Sequence, residues 1–208
     1  AIMSVEGVLF SKYLMYRSVY WHRQVRIATA MMKKAIYAAL TASLIEPERL
    51  YGLDDEGIYA LLASLDLPER ELASSIRKRD FYRVCAEMPF GRIDGGATDL
   101  EDIALRQGAE RRVASLVSDL TGRDVAPHMV IIDVPERVSF ESDLLITDEG
   151  KPFSESTTAF SGGVVERFAS SLRKIRIAVE PSIAPALAAR PEFSAELAKC
   201  IGLRYTQE

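Results

Sequence analysis

Met129-Val-Ile-Ile-Asp-Val134, stopped by Pro135, is a continuous apolar run rich in β-branched residues, and it reads as a strand. Downstream, Asp143-Leu-Leu-Ile-Thr147 is a second such run, with Asp148-Glu-Gly150 as the turn after it. Val164 to Lys174 has helical spacing after the Gly162-Gly163 break, and Ile175-Arg-Ile-Ala-Val179 reads as a strand ended by Pro181. Upstream, Thr98 and Glu101 are spaced as a reciprocal capping box for a helix that runs to Gly122. Its buried stripe includes Ile103, Val113, Val117 and Leu120. Phe81 to Cys85 supplies one more strand, joined to that helix by the loop Gly91-Arg-Ile-Asp-Gly-Gly-Ala97. The order strand, helix, strand, strand, helix, strand is the split arrangement of ferredoxin-like sandwiches, in which two helices cover one face of an antiparallel sheet.

Outside this region the pattern is helical. From Val8 to Leu44 there is neither Gly nor Pro, and Leu9, Tyr13, Tyr16, Tyr20, Ile27, Met31 and Ala35 recur at helical spacing, which predicts one long helix. A short helix fits Asp55 to Leu65, capped by Asp54 or Asp55, and another runs from Pro68 to about Lys78. The tail beyond Ser182 is Ala-rich and broken by Pro185 and Pro191, so short packing helices are expected there. The expected class is α+β: a helical segment over 1–78, a ferredoxin-like domain over 79–181 and a helical tail over 182–208.

The chain has 208 residues, 48% hydrophobic and 27% charged, with a net charge of −4. That composition supports a core and excludes extended disorder. Its apolar runs are interrupted by charge before a membrane span is reached, and the amino end does not resemble a signal peptide. A cytoplasmic protein is expected. Cys85 and Cys200 lie far apart, and with only His22 and His128 beside them they argue against both a disulfide framework and a Cys/His zinc site. No phosphate-loop, G-x-S-x-G, H-E-x-x-H or His-Asp signature is present. The glycines of 91–96 lack phosphate-loop spacing and read as a connector.

Charge is unevenly distributed. Residues 1–36 carry +5 and the remainder −9, so an anionic ligand favours the first segment. Within it Lys12, Tyr16 and Tyr20 are four residues apart and form a row on one helix face, with Arg23 a turn further on. An ammonium and a guanidinium would pair with phosphate oxygens, and two phenols would stack on a sugar or base. Half-buried packing tyrosines beside a solvated cationic flank are the competing reading. A second basic cluster spans Arg77 to Arg83. In an extended strand it would turn Arg79, Phe81 and Arg83 to one side as a phosphate clamp or, alternatively, as a charged sheet edge.

The run Phe10-Ser-Lys-Tyr-Leu-Met-Tyr-Arg-Ser-Val-Tyr-Trp-His-Arg23 resembles the segment after the catalytic core of HD-superfamily phosphohydrolases of the deoxynucleoside triphosphate triphosphohydrolase type. Arg79-Asp-Phe-Tyr-Arg83 resembles that group's downstream basic-aromatic motif. The resemblance implies a C-terminal portion of such an enzyme, with the metal-binding His and Asp residues, and hence the divalent metal, upstream of Ala1. It implies that Lys12 contacts the substrate triphosphate and that Tyr16 and Tyr20 meet the phosphates and deoxyribose. Lys stands where the family more often has Arg, and an ammonium cannot form the bidentate fork of a guanidinium. Arg23, Arg79 and Arg83 match positions that bind an activating nucleotide between subunits. The implied parent reaction is water attack on the α-phosphorus of a deoxynucleoside triphosphate, to which this chain contributes position and charge but no catalytic residue.

The rival reading is a free-standing regulatory or protein-interaction module with a ferredoxin-like dimerisation domain. Nucleic acid is disfavoured as a partner by the net negative charge. Homo-oligomerisation is expected because Met3, Val8, Met15, Val19, Trp21, Val25 and Met32 fall outside the principal apolar row of the first helix and need further cover.

Overall fold

The computed structural model describes residues 2–136, 145–147, 150–156, 158, 160 and 163–205. Asp143 and Leu144 of one expected strand, Asp148 and Glu149 of the expected turn and Gly162 of the expected helix break lie outside these residues. The chain is α+β, as expected. In order it forms α1 (Ile2–Met15), α2 (Arg23–Thr41), α3 (Asp55–Ala63), α4 (Arg70–Arg77), β1 (Arg83–Pro89) and β2 (Ile93–Gly95). Next come α5 (Ile103–Thr121), β3 (Val130–Asp133), β4 (Leu145–Ile146), β5 (Lys151–Pro152), α6 (Val164–Leu172) and β6 (Lys174–Val179). The tail holds α7 (Ala184–Ala188), α8 (Phe193–Ile201) and β7 (Arg204–Tyr205).

The main sheet has the order β1-β6-β3, antiparallel throughout, so the last long strand in sequence is central. The segment expected as a third strand pairs instead with β5 as a separate ribbon, and β2 pairs with β7. Every residue of β3 and all but the first of β6 are buried, which leaves the sheet no solvent face. Ile175, Ile177 and Val179 point into a core shared with α5, α7 and α8. Ala178 and Ile131 point the other way, into a second core with α2, α3 and α4. Helices therefore cover both faces rather than one, and three layers result.

The long first helix is interrupted. After α1 a five-residue π turn covers Tyr16–Tyr20, with Trp21 N donating to Tyr16 O at 2.8 Å, and His22 is extended (ψ 139°) before α2 begins. The extra residue of a π turn rotates the downstream chain about the helix axis. Here it turns the Trp21 side chain inward, to 8% exposure, and leaves Tyr20 half exposed. Trp21 and Met32 are thus covered within the chain, whereas Met3, Val8, Met15, Val19 and Val25 are exposed. The opposite face of α1 packs Leu9 and Tyr13 against Ile146 and Phe153, with Tyr13 stacked on Phe160 at 5.3 Å.

Local capping follows the chemistry of short acceptors. Asp54 accepts from Gly57 N (2.8 Å) at the start of α3, as expected. At α5 the cap is Asp102, which accepts from Leu105 N at 3.0 Å; Thr98 and Glu101 belong to a preceding 3₁₀ turn and form no capping box. A carboxylate in the right register displaces the weaker hydroxyl cap. The first sheet strand starts two residues later than expected and runs to Pro89, because Glu87, Met88 and Pro89 pair with β6. Among the described residues no helix is long and apolar enough to cross a membrane.

Candidate functional site

Tyr16 and Tyr20 come together as their spacing implies: their rings lie 5.2 Å apart, and Tyr16 also meets Trp21 edge-on at 5.6 Å. The contact survives the π turn, which opens the ladder to a five-residue step. Lys12 is half-buried one turn before Tyr16, and Tyr20 keeps about half its surface exposed. An ammonium on one side and an exposed phenol on the other leave a polar aromatic edge on α1 and the π turn.

Arg23 leaves this row. It starts α2 after the break, and its Nε donates to Glu87 Oε1 at 3.2 Å, so its guanidinium is directed at the sheet. Arg79 is not a strand residue. It occupies the left-handed region (φ 59°) in the turn between α4 and β1, with its backbone N bonded to Ile76 O. The expected alignment of Arg79, Phe81 and Arg83 on one strand face therefore does not form. Arg79 and Arg83 are exposed, and among the described residues neither has an ion pair. Arg83 pairs with Val179 and Glu87 with Arg176, three residues apart in β6, so the two lie on opposite faces of the sheet and Arg23, held at Glu87, is on the other face from Arg83.

Sequence reasoning missed the charged row across the sheet. In register, Glu87 of β1, Arg176 of β6 and Asp133 of β3 lie side by side on the face toward α2. Arg176 Nε reaches Glu87 at 3.1 Å and its Nη1 reaches Asp133 at 3.4 Å, while Nη2 donates to Trp21 O at 3.3 Å. Arg26 of α2 adds Nη2 to Asp133 Oδ1 at 2.5 Å. Asp133 is 1% exposed, and Arg26 and Arg176 are nearly as buried. A carboxylate held by two guanidiniums offsets part of the desolvation that each charge suffers. The signal was present in Asp133 and Arg176, two charges inside otherwise apolar β-branched runs.

The same network consumes the basic segment. Arg23, Arg26, Lys33 and Lys34 all pair with carboxylates from beyond residue 80: Glu87, Asp133, Glu136 and Glu110. The +5 of the first 36 residues is to a large extent internal glue between helix and sheet, which corrects the expectation that it awaits an anion. Burial alone would raise the Glu136 carboxyl, but the hydrogen bond from Lys33 and the nearby Arg26 hold it down to about 2. Beside these pairs, between α2, the end of β3 and the start of α5, lies a cavity of about 660 Å³. None of Lys12, Tyr16, Tyr20, Arg23, Arg79 and Arg83 lines it. Among the described residues no three His, Cys, Asp or Glu side chains gather as a metal site.

The family model described as the HD-associated region matches residues 1–153, about three quarters of the chain. A similar protein is an uncharacterized one of Methanocaldococcus jannaschii, 32% identical over 82 residues. That stretch is 39% of this chain and 18% of the archaeal protein, so the chain matches less than a fifth of its relative's length. The matched region takes in α1 to α5, the π turn between α1 and α2, and the sheet strands β1 and β3. By that match the chain belongs to the family of HD-associated regions.

Proposed function

We propose that this chain is the accessory portion of a metal-dependent HD-type nucleotide phosphohydrolase that acts on deoxynucleoside triphosphates. The observation that carries the reading is the HD-associated family match over residues 1–153, which contains the whole α1 and π-turn segment. Lys12 supplies a cation to the triphosphate, and Tyr16 and Tyr20 offer hydroxyls and ring faces to the phosphates and deoxyribose. The ring contact between the two tyrosines supports this, because it fixes the phenols relative to one another before substrate arrives. The metal and the groups that activate water belong to the HD domain. This chain's own share is to bind and orient.

The second element of the proposal is a nucleotide held between subunits by Arg79 and Arg83, whose guanidiniums have no ion pair among the described residues. Arg23, engaged with Glu87, joins such a site only by exchanging that partner for a phosphate. A regulatory nucleotide that did so would couple directly to the buried row through Glu87.

The test is Lys12→Ala in the intact HD-containing enzyme. Loss of a charge-assisted hydrogen bond, worth about 1.5–3 kcal/mol, should lower kcat/KM for a deoxynucleoside triphosphate roughly ten- to hundredfold. An unchanged kcat/KM overturns the substrate role. Arg79→Ala with Arg83→Ala should leave basal turnover intact and remove nucleotide activation. Activation that persists in the double variant overturns the regulatory role.

A further inference from the structure

We propose that the cavity between α2, the end of β3 and the start of α5 is a separate ligand site, and that it takes a small monocarboxylate with an apolar body. Its volume of about 660 Å³ falls within the range of roughly 300–1,000 Å³ of small-molecule sites. The charge inventory of its wall decides the sign of the ligand. Lys34 Nζ has three donors, and all are used, on Glu110 Oε2 (2.7 Å), Pro127 O (2.6 Å) and Val130 O (2.8 Å). Glu110 Oε1 accepts from Ile132 N at 2.9 Å, so both oxygens of that carboxylate have partners. Asp133 is held by Arg26 and Arg176, Glu136 by Arg26 and Lys33, and Glu101 by Arg173.

A cationic ligand would therefore meet no uncommitted carboxylate among the described residues of the wall. Arg106, half-buried on the first turns of α5, is the exception among the lining charges: among the described residues its guanidinium has neither an ion pair nor a hydrogen bond. One open guanidinium matches one carboxylate, which it can grip with two parallel N–H donors. The rest of the wall is apolar where it faces α2 and the end of β3, with Ala30, Tyr37 and Leu40 on one side and Ile103, Val134 and Pro135 on the other. A ring or branched hydrocarbon fits between them. A triphosphate does not suit the cavity, since Arg26, Lys33 and Lys34 are committed to the carboxylates of the wall and only the Arg106 guanidinium is left to answer several negative charges. The site is thus distinct from the nucleotide contacts proposed for α1, and neither proposal depends on the other.

The experiment is a titration of 3-phenylpropanoate into the 208-residue chain, followed by amide shifts in two-dimensional NMR and by calorimetry. Saturable shifts near Ala30, Gln107 and Val134 are expected, with 3-phenylpropanamide, which lacks the charge, binding roughly tenfold or more weakly. Arg106→Gln should weaken the carboxylate by a similar factor and leave the amide unaffected. Ala30→Phe, which fills the cavity from α2, should weaken both ligands, and it keeps the test decisive if the Arg106 variant folds poorly. Absence of saturable shifts up to about 10 mM overturns the proposal. Equal binding of acid and amide also overturns it, as does full retention of carboxylate affinity in folded Arg106→Gln or displacement of the acid by a deoxynucleoside triphosphate.

Discussion

Glu136 and Cys85 are shifted in ways that a titration can read. Glu136 has its carboxyl held down to about 2, against an ordinary value of about 4.3 in an unfolded chain. A depressed native pKa means that the unfolded state binds more protons between those two values, so stability rises with pH there. The contribution is complete above the ordinary carboxylate value and fades as pH falls toward 2. Glu136→Gln should accordingly flatten the dependence of urea stability on pH in that window, and a variant curve parallel to the wild type would refute the Lys33–Glu136–Arg26 arrangement. Cys85 behaves oppositely. Burial pushes its thiol up to about 12, and Sγ donates to Ile177 O at 3.3 Å inside the β1–β6 pair. Cys200 is also raised by burial, with Arg112 pulling the other way. At about pH 8 a disulfide reagent should modify Cys200 faster than Cys85, whose thiol is the more strongly raised and is tied to the Ile177 carbonyl; equal rates would contradict that difference.

Elements were legible in the sequence wherever one periodicity acted alone. Val130–Asp133 and Lys174–Val179 form strands because β-branched runs of that length have no helical stripe to offer, and α5 ends at Gly122 because a residue at φ 67° favours glycine. What stayed hidden was partnership. Nothing local says that β6 sits between β1 and β3, since that order depends on which faces find cover, and here α2 competes for the face that a two-layer sandwich leaves to solvent. Nor does spacing reveal that Arg176 and Asp133 are partners, although their occurrence in apolar runs marks them as paired. The site was legible in the same measure: the tyrosine row needed only helical geometry, whereas the turn at Arg79 and the pull of Glu87 on Arg23 are tertiary. The row makes a prediction of its own. Asp133→Ala leaves the guanidiniums of Arg26 and Arg176 buried without their shared carboxylate, which should cost about 3–5 kcal/mol in a denaturant melt. A loss under about 1 kcal/mol, typical of exposed pairs, would mean that the row is hydrated.

At the scale of the whole molecule the uncovered surface is α1. One side of this helix is anchored through Leu9 and Tyr13, and the other presents Met3, Val8, Phe10, Leu14 and Met15 to solvent, with Met3 84% and Val8 69% exposed. Scattered apolar residues on a surface are ordinary, but five on the side of one helix away from its anchor make an apolar patch, and Val19 of the π turn and Val25 of α2 are exposed beyond it. Such a patch fits a second copy of the chain, the partner in the homo-oligomer that the sequence leads one to expect. Phe10→Lys with Leu14→Lys places two like charges in the middle of the patch without touching the Leu9 and Tyr13 anchor. The fold should survive with unchanged circular dichroism, while light scattering should report a drop from oligomer to monomer for the 208-residue chain. If the wild-type chain is itself monomeric at concentrations where the variant is, self-association through α1 fails. If the variant stays oligomeric, the contact lies elsewhere, since an isologous interface would bring the introduced lysines of one copy against those of the other and could not tolerate them.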